Sequence, residues 1–213
     1  MDSRPQIVVL AKRPRPGHVK TRLTPPYTPE EAAELAAEAL RDTLDAVAAT
    51  PAAARVLVTD DPGPGAAPDG FEVIAQRGDG LDERLAWAFE DVYARRRLPV
   101  LLVGMDTPQI TGTLLTRAAT ALQEHDAVFG PAADGGFWLL GLRRPDPGLL
   151  LGVPMSRPDT GAEQLRRLRG RSVATMPLLT DVDDAAAARA VAERAPHTRF
   201  AATLARLGAG AAR

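Results

Sequence analysis

Gln6-Ile7-Val8-Val9-Leu10-Ala11 runs directly into Lys12-Arg13-Pro14-Arg15-Pro16-Gly17-His18-Val19-Lys20-Thr21-Arg22-Leu23. The first six residues are β-branched and almost wholly apolar, the pattern of a strand buried on both faces, as in a parallel sheet. The stretch that follows is rich in proline, glycine and cations and reads as loop. Thr28-Pro29-Glu30-Glu31 then opens a helix, with Thr28 as N-cap, proline in the first helical position and a glutamate three residues after the cap. Strand, cationic loop and helix in that order mark the start of an α/β fold.

The alternation continues along the chain. Helix 1 is expected to reach about residue 49, with strands at 55–59 and 71–75 and a Pro/Gly/Asp-rich loop between them. An amphipathic helix follows over 81–97, with Leu81, Leu85, Ala88, Phe89 and Val92 inward. The most apolar strand, residues 99–103, is expected at the centre of the sheet. Helix 111–123, strands 127–129 and Phe137–Leu142, helix 160–168, strand 173–176, helix 183–194 and helix 198–207 complete the reading. Residues 1–207 are expected to form one nucleotide-binding domain and residues 208–213 a frayed tail.

Composition narrows the function. A 213-residue chain with net charge −1 gives no bulk electrostatic reason to expect nucleic acid or a membrane as partner. It has no cysteine, which excludes disulfides, thiolate metal sites and a cysteine nucleophile. Its apolar runs are too short for a signal or a membrane span, so a cytoplasmic location is expected. Only Lys12 and Lys20 stand against 24 arginines. A chain that writes arginine for generic cations, yet keeps two lysines in one loop, points to a need for compact ammonium groups, the alternative being chance.

Four constellations carry chemistry. The loop of residues 12–23 lies beyond the carboxyl end of the first strand, where open α/β sheets bind ligands. Its glycine, two lysines and three arginines suit phosphate, the alternative being a solvated basic loop. It is neither a Walker A loop nor a dinucleotide fingerprint. Asp106, in Gly104-Met105-Asp106-Thr107-Pro108, ends the most apolar strand, too far upstream to cap the next helix. Its carboxylate suits a divalent cation. In Asp181-Val182-Asp183-Asp184, alternation sets Asp181 and Asp183 on one side; they read as a second metal arm or as ordinary acids at a helix N-terminus. In Gly130-Pro131-Ala132-Ala133-Asp134-Gly135-Gly136-Phe137-Trp138, the glycine pair allows a close backbone approach to a ligand, and Asp134 reads as turn residue or substrate acceptor. None of the three histidines has a metal-like spacing partner.

Together these blocks resemble a bacterial family labelled glycosyltransferase, with a glycosyltransferase-A-like fold and kinship to phospholactate and molybdenum-cofactor guanylyltransferases. The blocks are Lys12-x-Pro14-x-x-Gly17-x-x-Lys20-Thr21-Arg22-Leu23, Gly104-x-Asp106-x-Pro108, Gly130-Pro131-x-x-Asp134-Gly135-Gly136-Phe137 and Asp181-Val182-Asp183. The resemblance implies a three-layer, Rossmann-like, mostly parallel sheet with one reversed strand, the nucleotide-diphospho-sugar transferase type. It also implies that Ala11, Lys12, Gly17, Lys20, Thr21 and Arg22 hold nucleotide phosphates, while Gln76, Gly78 and Asp79 flank base and ribose. Asp106, Asp181 and Asp183 would hold Mg²⁺ or Mn²⁺, and Asp134, Gly135, Gly136 and Ser156 would line the acceptor side. The chain departs from the pattern at Asp82, where relatives tend to have glycine, and at Met155, where an aromatic residue is expected.

The expected chemistry is direct transfer from a nucleotide donor to a small-molecule acceptor, with Lys20, Arg22 and Asp106 as the catalytic set. Five cations between Lys12 and Arg22 match a triphosphate and favour nucleotidyl transfer to a phosphorylated or carboxylated acceptor. The family label points instead to a nucleotide sugar. A catalytically silent nucleotide-binding module is the rival from another class. The sequence is silent on oligomeric state.

Overall fold

The computed structural model describes residues 4–211. Seven strands form one sheet: β1 Gln6–Ala11, β2 Ala54–Thr59, β3 Glu72–Ala75, β4 Val100–Gly104, β5 Ala127–Pro131, β6 Phe137–Leu142 and β7 Val173–Thr175. Their order is β3-β2-β1-β4-β6-β5-β7, with β4 in the middle. Only β6 runs against the rest, antiparallel to both β4 and β5, while all other pairings are parallel. The sheet is therefore mostly parallel with one reversed strand.

The helices are α1 Pro29–Ala48, α2 Leu81–Arg96, α3 Gly112–Glu124, α4 Thr160–Arg167, α5 Ala185–Arg194 and α6 Arg199–Ala211. Alternation along β1 sends Ile7 and Val9 to a face covered by α1 and α3, through Ala36, Val47, Leu115 and Leu122. Val8 and Leu10 go to the opposite face, under Leu85, Phe89 and Val92 of α2. Both faces of the strand are thus dry, which explains why its sequence is continuously apolar. The capping box at Thr28 is present in full: its side chain accepts from the Glu31 N–H, and Glu31 accepts from the Thr28 N–H.

A third cluster positions the site. The outer side of α1 packs Leu35 and Ala39 against Val191 of α5 and Phe200 and Leu204 of α6, and the same cluster buries Leu23 and Val182. Leu23 ends the cationic loop, and Val182 sits between Asp181 and Asp183. One patch of apolar contact therefore fixes both polar segments.

Two expectations are revised. Helix α6 continues through Gly208 to Ala211, so residues 208–211 are helical and the tail reading fails there; residues 212 and 213 lie outside the described residues. Leu81 is not a core residue; at the first position of α2 it remains 43% exposed.

Gly130 and Gly208 make a matched test of this packing. A Cβ on Gly130 would lie 2.6 Å from the Trp138 ring, whereas Gly208 has open space around it. Gly130→Ala should cost about 1–3 kcal/mol. Gly208→Ala should gain up to about 1 kcal/mol from helix propensity. Denaturant unfolding of the two variants checks both signs.

Candidate active site

A cleft of about 750 Å³ opens at one edge of the sheet. Its walls come from residues just past the carboxyl ends of β1, β3 and β4, and from Phe137 at the start of the reversed β6. This is where parallel sheets place ligands, because loops diverge there and backbone groups lack strand partners.

At the floor lies Lys20. Its backbone is left-handed, with φ 50°, and it leads into a single turn of tight helix, Thr21–Leu23, anchored by buried Leu23. A non-glycine residue adopts this conformation at a cost that surrounding structure must offset. The Lys20 side chain is only 8% exposed; its Nζ lies 2.6 Å from Asp106 Oδ1 and 3.8 Å from Asp183 Oδ1. The ammonium also donates to the Val182 carbonyl. The backbone reinforces this junction, since the Val182 N–H donates to the Asp106 carbonyl at 2.8 Å.

The acids divide their tasks. Thr111 caps α3, accepting from the Leu114 N–H, which leaves Asp106 free of that role. Asp184 caps α5, accepting from the Ala186 and Ala187 amides, which releases Asp181 and Asp183 likewise. Asp181 accepts from the Thr107 hydroxyl at 2.9 Å. Burial pushes the Asp181 carboxyl up to about 6; the charges of Asp106 and Asp134 add to the rise, while Thr107 and Lys20 oppose it. Burial also raises Asp183, aided by Asp106 and Asp134 and countered by Lys20 and Arg22.

The cleft gathers Ala11, Lys12, Lys20, Thr21, Arg22 and Gln76 from the nucleotide set, Asp134, Gly136 and Ser156 from the acceptor set, and Asp106, Asp181 and Asp183. Gly17, Gly78, Asp79 and Gly135 lie off its walls. Gly17 makes a turn with φ +74°. Gly78 packs its backbone on Glu83, whose carboxylate accepts from the Asp79 N–H at 2.8 Å. Gly135 serves packing: a Cβ there would stand 1.9 Å from the Pro158 carbonyl, and its own carbonyl accepts from the Gly161 N–H at 2.8 Å. The amides of the pair are engaged internally, Gly135 with the Ala132 carbonyl and Gly136 with Asp134 Oδ1. The expected close approach is thus of backbone to backbone. Asp134 serves as the turn residue and still faces the cleft.

Arg13 and Arg15 are a further correction to the loop's charge count. Both pair with Asp61, at 2.8 and 2.5 Å, and the Arg13 N–H donates to Asp60. They brace the loop against the end of β2 and do not line the cleft. Two other arginines do, Arg84 and Arg157. Arg84 lies one helical turn after Leu81, on the face that points at the cleft, and the left-handed Ser156 with φ 58° precedes Arg157. No local pattern marks Arg84 or Arg157, since Leu81, one turn before Arg84, reads as a core position in the sequence. Asp82, the first departure, accepts from the Gly152 N–H and joins α2 to the loop before α4. Met155, the second, lines the cleft.

Among the described residues no three His, Cys, Asp or Glu side chains form a ready metal cage. Asp106, Asp181 and Asp183 do not form such a three-carboxylate group, and one Asp181 oxygen is taken by the Thr107 hydroxyl. Asp106, Asp183 and the Val182 carbonyl do converge, on the Lys20 ammonium. Two carboxylates with room for phosphate oxygens fit Mg²⁺ or Mn²⁺, which seldom use all-protein cages in phosphoryl sites.

Residues 36–157 match a family described as an uncharacterized protein conserved in bacteria (DUF2064). The chain belongs to this family. The 2-phospho-L-lactate guanylyltransferase of Methanocorpusculum labreanum is 28% identical over 178 residues, 81% of this chain and 76% of that protein. A crystal structure of a candidate nucleotide-diphospho-sugar transferase from Desulfovibrio desulfuricans G20 is 27% identical, covers 99% of this chain and 96% of its own, and superposes with TM-score 0.86. The manganese complex of Rv0371C from Mycobacterium tuberculosis H37Rv shares the fold at 22% identity and TM-score 0.57, covering 89% of this chain and 98% of its own. This DUF2064 member is a nucleotide-dependent transferase of the nucleotide-diphospho-sugar transferase fold. No helix among its described residues is long and apolar enough to cross a membrane.

The raised Asp181 gives a pH prediction for metal-free protein. The folded state holds this proton more tightly than the unfolded chain, whose carboxyl titrates near 3.8. The group's stabilising contribution is therefore full below about 4 and is lost as the pH rises through about 6. Asp181→Asn, which keeps an acceptor for Thr107, should raise Tm relative to wild type in EDTA at pH 8, with the gap closing towards pH 4.5. A variant less stable than wild type at pH 8 would contradict the assignment.

Proposed function

We propose that this transferase is a divalent-metal-dependent nucleotidyltransferase. It takes a nucleoside triphosphate and a small phosphorylated or carboxylated acceptor and releases pyrophosphate. The observation that carries the reading is the junction of Lys20, Asp106 and Asp183, beside Lys12 and Arg22, at the carboxyl edge of a parallel sheet.

The cation count supports an anionic donor together with an anionic acceptor. Lys12, Lys20, Arg22, Arg84 and Arg157 line the cleft from three separate segments; Lys20 pairs with Asp106 and Arg157 with Asp159, while Lys12, Arg22 and Arg84 make no ion pair among the described residues. The similar guanylyltransferase has a phosphorylated carboxylic acid in its name, which agrees with that charge pattern. Asp106 and Asp183 would hold Mg²⁺ or Mn²⁺, which supplies charge neutralisation on the phosphates. The loop's Lys12, Thr21 and Arg22 bind and orient the triphosphate, and Gln76 faces the nucleoside. An oxygen of the acceptor, oriented by Ser156 and Arg157, attacks the α-phosphorus. The bond from that phosphorus to the bridging oxygen breaks, and pyrophosphate leaves with the electron pair. An ionised acceptor needs no proton removed. No side chain in the cleft is placed as a covalent nucleophile, so transfer is direct. Lys20 and Arg22 stabilise charge that develops on the leaving group.

A second reading, glycosyl transfer from a nucleotide sugar, is favoured by the similarity to the Desulfovibrio protein. The two separate in one assay. Purified protein is incubated with Mg²⁺ or Mn²⁺, a metabolite extract, and pools of either nucleoside triphosphates or nucleotide sugars. Pyrophosphate from the triphosphate pool alone is the expected result; nucleoside diphosphate from the sugar pool, without pyrophosphate, would establish glycosyl transfer.

Variants test the residues. Asp106→Asn should lower kcat by about 10²-fold or more with the fold retained. Lys20→Arg keeps the charge but places a planar fork where a point ammonium fits, so turnover should fall about tenfold or more. Arg97→Lys, at the exposed C-cap of α2, is the control and should change little. Equal behaviour of the two basic substitutions would remove the case for Lys20.

A further inference from the structure

Three oxygens from two distant segments point at one position: Asp106 Oδ1, Asp183 Oδ1 and the Val182 carbonyl. That is a donor set for a hard cation, and the cation there is the Lys20 ammonium. The charges of Asp106 and Asp134 add to the field on Asp181 and Asp183, and Lys20 and Arg22 oppose it at Asp183, but only Lys20 reaches the carboxylates directly. Among the described residues no other lysine or arginine forms an ion pair with Asp106 or Asp183. Lys12 and Arg22 are exposed on the same cleft; Arg22 is near enough to favour the charged form of Asp183, but neither makes an ion pair with these acids.

An ammonium and a divalent ion cannot share these oxygens. Their mutual repulsion at such range exceeds thermal energy even where Asp106 and Asp183 remain 43% and 40% exposed to water. Lysine differs here from arginine in having a compact charge on a long flexible stem, able to leave one anion for another. The donor phosphates would enter the same cleft and offer Lys20 that second anion.

We propose that Lys20 is a resident counter-ion that occupies the cation position of the nucleotide-free site, so that a divalent ion and the donor phosphates enter together as Lys20 transfers from carboxylates to phosphates. The proposal rests on the nucleotide-donor reading above but is indifferent to which group is transferred. Its consequence is a weak metal site without nucleotide and a strong one with it. By linkage the metal strengthens nucleotide binding by the same factor. The left-handed backbone at Lys20 fits a residue that must reach both positions, and buried Leu23 keeps its root fixed.

The test is Mn²⁺ titration of nucleotide-free protein, following free Mn²⁺ by electron paramagnetic resonance. Lys20→Met removes the competing charge, and Lys20→Gln keeps a donor for the Val182 carbonyl should the first variant fold poorly. Either should bind Mn²⁺ at least about tenfold more tightly than wild type. Adding Asp106→Asn to the same chain should abolish that gain. In the wild type alone, a nonhydrolysable nucleoside triphosphate should strengthen Mn²⁺ binding at least about tenfold. Variant affinity equal to or weaker than wild type, no binding by any form, or a wild-type affinity unchanged by nucleotide would each overturn the proposal. A lack of turnover with triphosphates alongside the predicted Mn²⁺ pattern would instead remove only the nucleotidyl reading.

Discussion

The ion pair between Lys20 and Asp106 holds the site in its shape. Burying an ammonium to 8% exposure carries a heavy desolvation cost, which nearby carboxylates and a carbonyl must offset. Removing either partner would leave an uncompensated charge at this junction. Here it ties the loop after β1 to the end of β4 and to the segment before α5. These pieces are far apart in sequence, and Leu23 and Val182 bring them together beneath the charges by packing against α1, α5 and α6. Apolar burial supplies the energy, and the polar junction supplies the register.

The opposite wall has a different basis. The reversed strand β6 brings Phe137 and Trp138 to the cleft from the far side of β4. Trp138 is buried, donates to the Pro177 carbonyl at 3.0 Å and fills the space that a side chain at position 130 would need. Gly135 and Gly161 let the turn before β6 touch the start of α4 backbone to backbone, which sets the loop carrying Ser156 and Arg157 at a fixed distance from the carboxylates.

Much of this was readable from residue order, for identifiable reasons. β1 and the capping box at Thr28 are local signals with a single structural solution. Asp106 could be separated from a helix cap by counting residues to Thr111, and Asp181 and Asp183 could be set on one side of their segment by their alternation with Val182. The arginines of the first loop were not readable. Arg13 and Arg15 turn to Asp61 because a different loop presents an acid there, a fact of tertiary placement that no local pattern holds. The glycine pair misled for the same reason, since a close approach needs a partner and the sequence does not say whether that partner is ligand or backbone. The end of α6 was missed because glycines in the last residues suggest fraying, whereas the helix runs on to Ala211.

The central claim is that Asp106 meets donor phosphates through a shared divalent ion. Electron–nuclear double resonance on Mn²⁺ in the presence of a nucleoside triphosphate reads this directly. Strong ³¹P coupling in the wild type, lost in Asp106→Asn at equal bound nucleotide, is the predicted result. Bound Mn²⁺ without ³¹P coupling, or coupling that survives the substitution unchanged, would contradict the account.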